Sequence, residues 1–371
     1  MTAKIVLYGA TGYTGRKTAA AMVERGLRPL LVGRDARKLA AQAEALGGLP
    51  VAVADSADPD GLARLLAKGD VLVTTVGPFQ RVGQAALAAA LTAGAHYVDS
   101  TGEPGFVRRV YETADVPARQ AGLTFLTAFG YDYVPGHTAA ALALRAAGHA
   151  ATLVEVGYFT AGGAPFRTSD GTAASLAGAV FDPGLFRRGG RLVEDFGGTR
   201  LRSFSIEGRT LDGISVPGSE HLWLADDFPQ LQEVGVYLGW FGKRSRQMHR
   251  AAKMSAPLLR IKPLRALLRG LAPTPTSQGR GPDEAELARA GSHIVAEARD
   301  AHGHLLARID LTGVDGYTYT ARMLAWAAAT LAGGPALRTG AVGPVGAFGL
   351  DSLVEGNREA GLTAELSQAG A

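Results

Sequence analysis

The chain opens on a short apolar run, Ile5-Val6-Leu7-Tyr8, then a glycine-rich stretch, then a helix-patterned segment at 16–25 that stops at Gly26. That unit recurs. Apolar runs at 30–32, 51–54, 71–76, 96–99 and 123–128 alternate with helix-like stretches at 35–46, 59–66, 84–92 and 104–121. Strands separated by helices lie parallel, with helices covering both faces of the sheet. The pattern predicts an α/β fold with a Rossmann doubly wound parallel sheet of six strands.

The rhythm changes after about residue 133. Apolar runs at 151–159, 201–206, 233–238, 293–299 and 305–311 follow one another with few helices between them. The last two flank Asp300-Ala301-His302-Gly303, a turn sequence. These runs predict a second α+β domain on a mixed or antiparallel sheet. Residues 273–282, rich in Pro, Gly, Ser and Thr, read as an exposed loop. Residues 319–331 form a strong helix, and the tail beyond 359 is expected to fray.

Composition narrows the function. At 371 residues, two domains are the natural expectation. With 47% hydrophobic and 19% charged residues the chain is globular rather than disordered. It has no cysteine, which excludes disulfides, thiolate nucleophiles and Cys-ligated metals. No charged segment precedes a long apolar one near the start, so no secretory signal is expected. The longest uncharged apolar stretch, 323–337, is broken by Gly333, Gly334 and Pro335, so no transmembrane segment is expected. A cytoplasmic protein is the expectation. The formal charge of +4 gives no footprint for nucleic acid, and the histidines show no metal-binding spacing.

The chemistry starts at Gly9-Ala10-Thr11-Gly12-Tyr13-Thr14-Gly15, between the first strand and the first helix. There the first glycine allows a tight turn, the second lets backbone approach a pyrophosphate, and the third lets helix and strand pack closely. The helix N-terminus then faces the phosphates. The second strand ends in Gly33-Arg34-Asp35 rather than in a lone acid. A guanidinium suits a 2′-phosphate, with Lys38 one turn on, so NADP(H) is the expected cofactor. Asp35 leaves the ribose hydroxyl as an alternative. Asp55 ends the third strand on the adenine side. Val76-Gly77-Pro78-Phe79 ends the fourth, where backbone runs past the nicotinamide and Phe79 is placed to wall the ring.

Together with Val32-Gly33-Arg34, Gly94-Ala95-His96-Tyr97-Val98-Asp99-Ser100-Thr101-Gly102-Glu103 and Gly130-Tyr131-Asp132-Tyr133-Val134-Pro135-Gly136, these segments resemble the saccharopine dehydrogenase-like oxidoreductases. The resemblance covers about 4–140 and returns at 316–331. It implies a nicotinamide-dependent reductase, with saccharopine reductases acting on an imine and trans-acting enoyl reductases acting on a carbon–carbon double bond. It also implies a discontinuous first domain, 1–133 plus 316–371, around a substrate domain at 134–315.

Ligands of doubly wound sheets bind at the carboxyl ends of the strands. Asp99, Tyr131, Asp132 and His137 follow such ends and are the candidates to supply the proton that hydride transfer demands. Ser169-Asp170-Gly171-Thr172 reads as a loop entering a small-residue helix, making Thr172 and Ser175 candidates to hold the substrate. Residues 243–269 carry nine Lys or Arg and no Asp or Glu, with Leu264, Leu267, Leu268 and Leu271 at helical spacing. They read as a basic face over core leucines, with peripheral membrane contact through 243–271 or an anionic carrier as alternatives. The expected partner is a small-molecule or acyl-carrier-linked substrate, and a homodimer is left open. A non-catalytic NADP-binding sensor and a lipid-associated protein are the competing functions.

Overall fold

The apolar runs become strands largely where they stand. A computed structural model describes residues 3–161, 182–271 and 281–368. The chain divides into two compact units, Met1–Val134 with Gly316–Ala360, and Pro135–Asp315 with Gly361–Ala371.

In the first unit β1 (Ile5–Tyr8), β2 (Leu30–Gly33), β3 (Val51–Val53), β4 (Val71–Thr74), β5 (His96–Asp99) and β6 (Thr124–Leu126) alternate with helices. These are α1 (Tyr13–Glu24), α2 (Ala36–Ala45), α3 (Pro59–Ala63), α4 (Phe79–Ala93), α5 (Pro104–Thr113) and α6 (Asp115–Gln120). A short strand, β15 (Gly340–Ala341), joins the edge, giving the order β15-β6-β5-β4-β1-β2-β3 with every pairing parallel. The order reverses between β1 and β4, and a crevice outside the carboxyl ends is expected there. Every residue of β1 and β4 is buried, as central strands covered on both faces must be. The helix expected at 104–121 is two helices that meet at Ala114. Pro117 has no N–H to donate back to the carbonyl of Thr113, so one helix cannot run through. The helix Gly316–Gly333 returns to this unit, where the Thr320 hydroxyl accepts a hydrogen bond from the Tyr131 N–H at 2.9 Å.

The second unit holds β7 (Leu153–Ala161), β10 (Leu201–Ile206), β11 (Arg209–Ser215), β12 (Glu233–Leu238), β13 (Gly291–Arg299), β14 (Leu305–Val314) and β16 (Leu362–Gln368). They form one mixed sheet in the order β10-β11-β12-β7-β13-β14-β16, in which only β12 and β7 pair in parallel. A separate hairpin joins β8 (Gly184–Arg188) to β9 (Arg191–Asp195). Two findings depart from expectation. The hairpin and β11 are too polar to stand out as apolar runs. The tail, over its described residues, is a strand rather than a frayed end, and it groups with the second unit: Gly361 turns at φ +101 and β16 pairs with β14, from Leu362↔Gly313 onward. Its alternation of Leu362, Ala364 and Leu366 with polar residues is a strand pattern. The basic segment forms the helices Ser245–Leu259 and Lys262–Leu271, and Leu267, expected in the core, is exposed.

Candidate dinucleotide site

The glycine loop is built for two different reasons at its three glycines. Gly9, at φ +87, donates to the Val32 carbonyl at 2.9 Å, and Ala10 donates to the same oxygen at 3.1 Å. A Cβ on Gly9 would lie 2.7 Å from Val76 Cγ2 and 2.9 Å from Thr75 Oγ1. A Cβ on Gly15 would lie 2.1 Å from the Gly9 carbonyl oxygen. These two glycines are demanded by the fold. Gly12 is different. Its Cβ would meet only the Gly9 oxygen, at 3.3 Å, and the residue is exposed. Gly12 is also the N-cap of α1 and brings no capping side chain, so the positive end of the helix dipole opens onto that space. Around it Arg16 donates to the Thr11 carbonyl at 2.8 Å, the Thr18 hydroxyl donates to the Thr14 carbonyl, and the Tyr13 ring stands edge-on to Tyr317 at 5.0 Å.

At the end of β2 the two candidate ligands separate by role. Asp35 caps α2, its Oδ1 accepting from the N–H groups of Arg37 at 3.0 Å and Lys38 at 3.1 Å. The Lys38 N–H does most to hold this carboxyl below its ordinary range. Lys38 Nζ stands 3.8 Å from Asp35 Oδ2 and is largely exposed. Arg34 is exposed and makes no hydrogen bond or ion pair among the described residues. Asp55 accepts the Ala57 N–H at 2.9 Å. Burial raises the Tyr8 hydroxyl, whose surroundings include both the Asp55 and the Arg34 charge. The ends of β1, β2 and β3 thus converge at one spot. Replacing Arg34 by Ala is expected to weaken NADPH by about 1.5–3 kcal/mol, the worth of a charged hydrogen bond, and to leave NADH unchanged. Parallel titrations of both cofactors check this, and equal losses would show that Arg34 does not read the 2′-phosphate.

Beyond β4, Val76 packs on the glycine loop and Gly77-Pro78 leads into α4, which starts at Phe79, earlier than its apolar pattern suggests. The reason is Glu103, which sequence reasoning did not single out. Its buried carboxylate accepts the N–H groups of Phe79 at 2.8 Å and Gln80 at 2.9 Å, supplying the anion at this helix N-terminus from within the chain. Phe79 is buried against Phe106, with ring centroids 5.5 Å apart, so its ring belongs to the core. Glu103→Ala is expected to lower stability by about 1–3 kcal/mol, because two hydrogen bonds to the helix N-terminus disappear and the Phe79 donor stays buried. Denaturant unfolding measures it, and an unchanged midpoint would mean that α4 does not depend on this cap.

The candidate proton donors differ in surroundings. Asp99 is fully buried, and its Oδ1 accepts from Thr101 N–H at 2.8 Å and Ala128 N–H at 3.0 Å, tying the end of β5 to the loop after β6. Burial pushes its carboxyl up to about 6. Tyr131 is buried, its ring edge-on to Tyr319 at 6.1 Å. Asp132 has an enclosed Oδ1 with no hydrogen-bond partner among the described residues, while Oδ2 lies 2.9 Å from where a Gly102 Cβ would be. Burial raises this carboxyl to about 6 as well. His137 belongs to the second unit, on α7 (Val134–Ala147), with both ring nitrogens buried and without a hydrogen-bond partner among the described residues. Burial depresses it to about 3, so the ring is neutral near pH 7 and holds no proton to give as an imidazolium. Asp99, Tyr131 and Asp132 share a unit with the glycine loop. Thr172 and Ser175 lie outside the described residues.

Residues 5–126 match the family model of the saccharopine dehydrogenase NADP binding domain. A putative trans-acting enoyl reductase of Mycobacterium tuberculosis is 37% identical over 183 residues, 46% of this chain and 43% of that protein. A trans-acting enoyl reductase of Mycobacterium ulcerans is 37% identical over 138 residues, 36% of this chain and 33% of that one. The matched span is under half the length of either relative. Apo saccharopine dehydrogenase (L-Glu forming) from Saccharomyces cerevisiae shares the fold with a TM-score of 0.60 at 14% identity, over 98% of this chain and 100% of that one. The glycine loop, Arg34 and Glu103 all fall inside residues 5–126, the stretch that is similar to the saccharopine dehydrogenase NADP binding domain.

Proposed function

We propose that this chain is an NADPH-dependent oxidoreductase that reduces the C=C bond of an enoyl group carried on a thioester. The observation that carries the cofactor half is Gly12, an exposed glycine with clear space above it at the head of α1, with Arg34 exposed at the end of the neighbouring strand. The substrate half rests on the sequence relatives, which are named as trans-acting enoyl reductases. The likeness to saccharopine dehydrogenase, at 14% identity, speaks for fold and keeps imine reduction as the alternative.

NADPH, held at the head of α1 near Gly12 with Arg34 at its 2′-phosphate, would supply a hydride, and reduction of an enoyl thioester would also require a proton at the α-carbon. Asp132 is the group we assign to that step. Its carboxyl is held protonated to a higher pH than an exposed one, and one of its oxygens has no hydrogen-bond partner among the described residues. After the transfer its carboxylate takes a proton back from solvent. Asp99 shares the raised value and has one oxygen, Oδ2, without a hydrogen-bond partner among the described residues, but its Oδ1 is tied to two backbone N–H groups; Glu103 likewise bonds to backbone N–H groups, and both shape the strand ends. Following NADPH absorbance with enoyl thioesters beside amine and keto-acid mixtures separates the readings. Oxidation with the thioester alone is expected. Oxidation only with the amine and keto acid would replace this substrate class by the imine, and none with either would favour a sensor.

A further inference from the structure

The two basic helices, Ser245–Leu259 and Lys262–Leu271, bury one apolar stripe and expose a second. Inward, Ala256 and Leu259 pack with Phe196, and Leu268 joins them. Outward, Met254 is 80% exposed, Leu258 50%, Ile261 52% and Leu267 59%. Exposed apolar side chains are ordinary singly and informative when they gather on one face. Met254 and Leu258 are four residues apart and so share one helix face.

The charges that the two helices themselves carry all have one sign, while Asp212, Asp195 and Glu194 lie against them from neighbouring strands. Between 243 and 269 there are nine Lys or Arg and no acid. Arg246 pairs with Asp212 at 2.6 Å, and Arg260 with Asp195 at 3.3 Å. Arg250, Lys253 and Lys262 are exposed and pair with no acid among the described residues. Neither helix is long and apolar enough to cross a membrane.

From this juxtaposition we infer that the helix pair is a docking surface for an anionic membrane. Met254, Leu258, Ile261 and Leu267 enter the boundary between headgroups and acyl chains. The flanking Lys and Arg stems lie along that apolar surface with their charges at the lipid phosphates. An apolar stripe interleaved with unpaired cations is the composition that binds at headgroup depth. A soluble polyanion satisfies the cations and leaves the stripe in water.

Co-sedimentation of the full chain with vesicles tests this. Phosphatidylcholine vesicles with phosphatidylglycerol are expected to bind it, and phosphatidylcholine alone is not. Molar salt is expected to release most of the bound protein, since it shortens electrostatic reach to about 3 Å. Leu258→Glu with Ile261→Glu, and separately Lys253→Glu with Lys262→Glu, should each weaken partitioning by more than about tenfold. Circular dichroism and NADPH titration establish that both variants stay folded. Absence of binding to phosphatidylglycerol vesicles overturns the inference. So does equal binding to neutral vesicles, or loss of binding in the charge variant with none in the apolar one. Binding to soluble polyglutamate without binding to vesicles overturns it too, and points to an acidic protein partner.

Discussion

Gly12→Val removes NADPH binding and leaves the protein folded, whereas Gly15→Ala destabilises the first unit itself. The contrast follows from what each new side chain would strike. At Gly15 the added carbon falls 2.1 Å from a backbone oxygen, which no rotamer change relieves, so α1 and the loop must separate. At Gly12 the only neighbour is 3.3 Å away and the rest is open, so the chain tolerates a methyl group with a shift of a few tenths of an ångström. That open volume is where a pyrophosphate meets the head of α1, and a branched side chain there excludes it. Loss of several phosphate hydrogen bonds at about 1.5–3 kcal/mol each predicts a fall in affinity of at least about a hundredfold for Gly12→Val. Cofactor titration and thermal unfolding of both variants read the two effects independently. Normal NADPH affinity in Gly12→Val would remove the phosphate from this loop. An unperturbed melting temperature in Gly15→Ala would show that helix and loop are less tightly coupled than the contact requires.

The same loop shows why part of this protein is legible in its sequence. β1 to β6 are short, parallel and, apart from the exposed edge strand β3, mostly buried, so each appears as an apolar run, and the glycines follow directly on the first of them. Local chemistry also marks the turn at 300–303 between β13 and β14, where Asp300 Oδ1 accepts the His302 and His304 N–H groups, whereas Asp35, read as an alternative ribose ligand, is found capping α2. Glu103 was not legible in the same way. It acts on α4 across more than twenty residues, and only the fold brings it there. The β8–β9 hairpin is polar, but its Gly189-Gly190 turn, both residues at positive φ, is a signal that pattern reading passes over. Glu207-Gly208 does the same between β10 and β11. Position after a strand end brought Asp99, Asp132 and His137 forward together. It could not show that Asp99 Oδ1 bonds two backbone amides while both nitrogens of His137 have no hydrogen-bond partner among the described residues.

Asp132→Asn is the variant that tests the proposed chemistry, and its pH dependence has a definite sign. Burial raises the folded-state value to about 6, against about 3.9 for an exposed carboxyl. Below the unfolded value both states are protonated, and the neutral carboxyl contributes its full stability. Between the two values the unfolded chain has released a proton that the folded chain keeps, so stability falls as pH rises through about 6. Above that the folded protein holds a charge with little solvation. Asparagine never carries that charge. Relative to the parent, Asp132→Asn should therefore gain on the order of 1–3 kcal/mol between acid pH and pH 8. Turnover moves the other way. A group that gives a proton works in its protonated form, so the parent's kcat should decline above pH 6. The variant should lose about a hundredfold to ten-thousandfold in kcat, together with that limb of the profile, and keep its NADPH affinity. A buried carboxyl without a chemical role would give the stability trend alone. Retained turnover with an unchanged pH profile would move the proton donor elsewhere in the chain, with Tyr131 the next residue to replace.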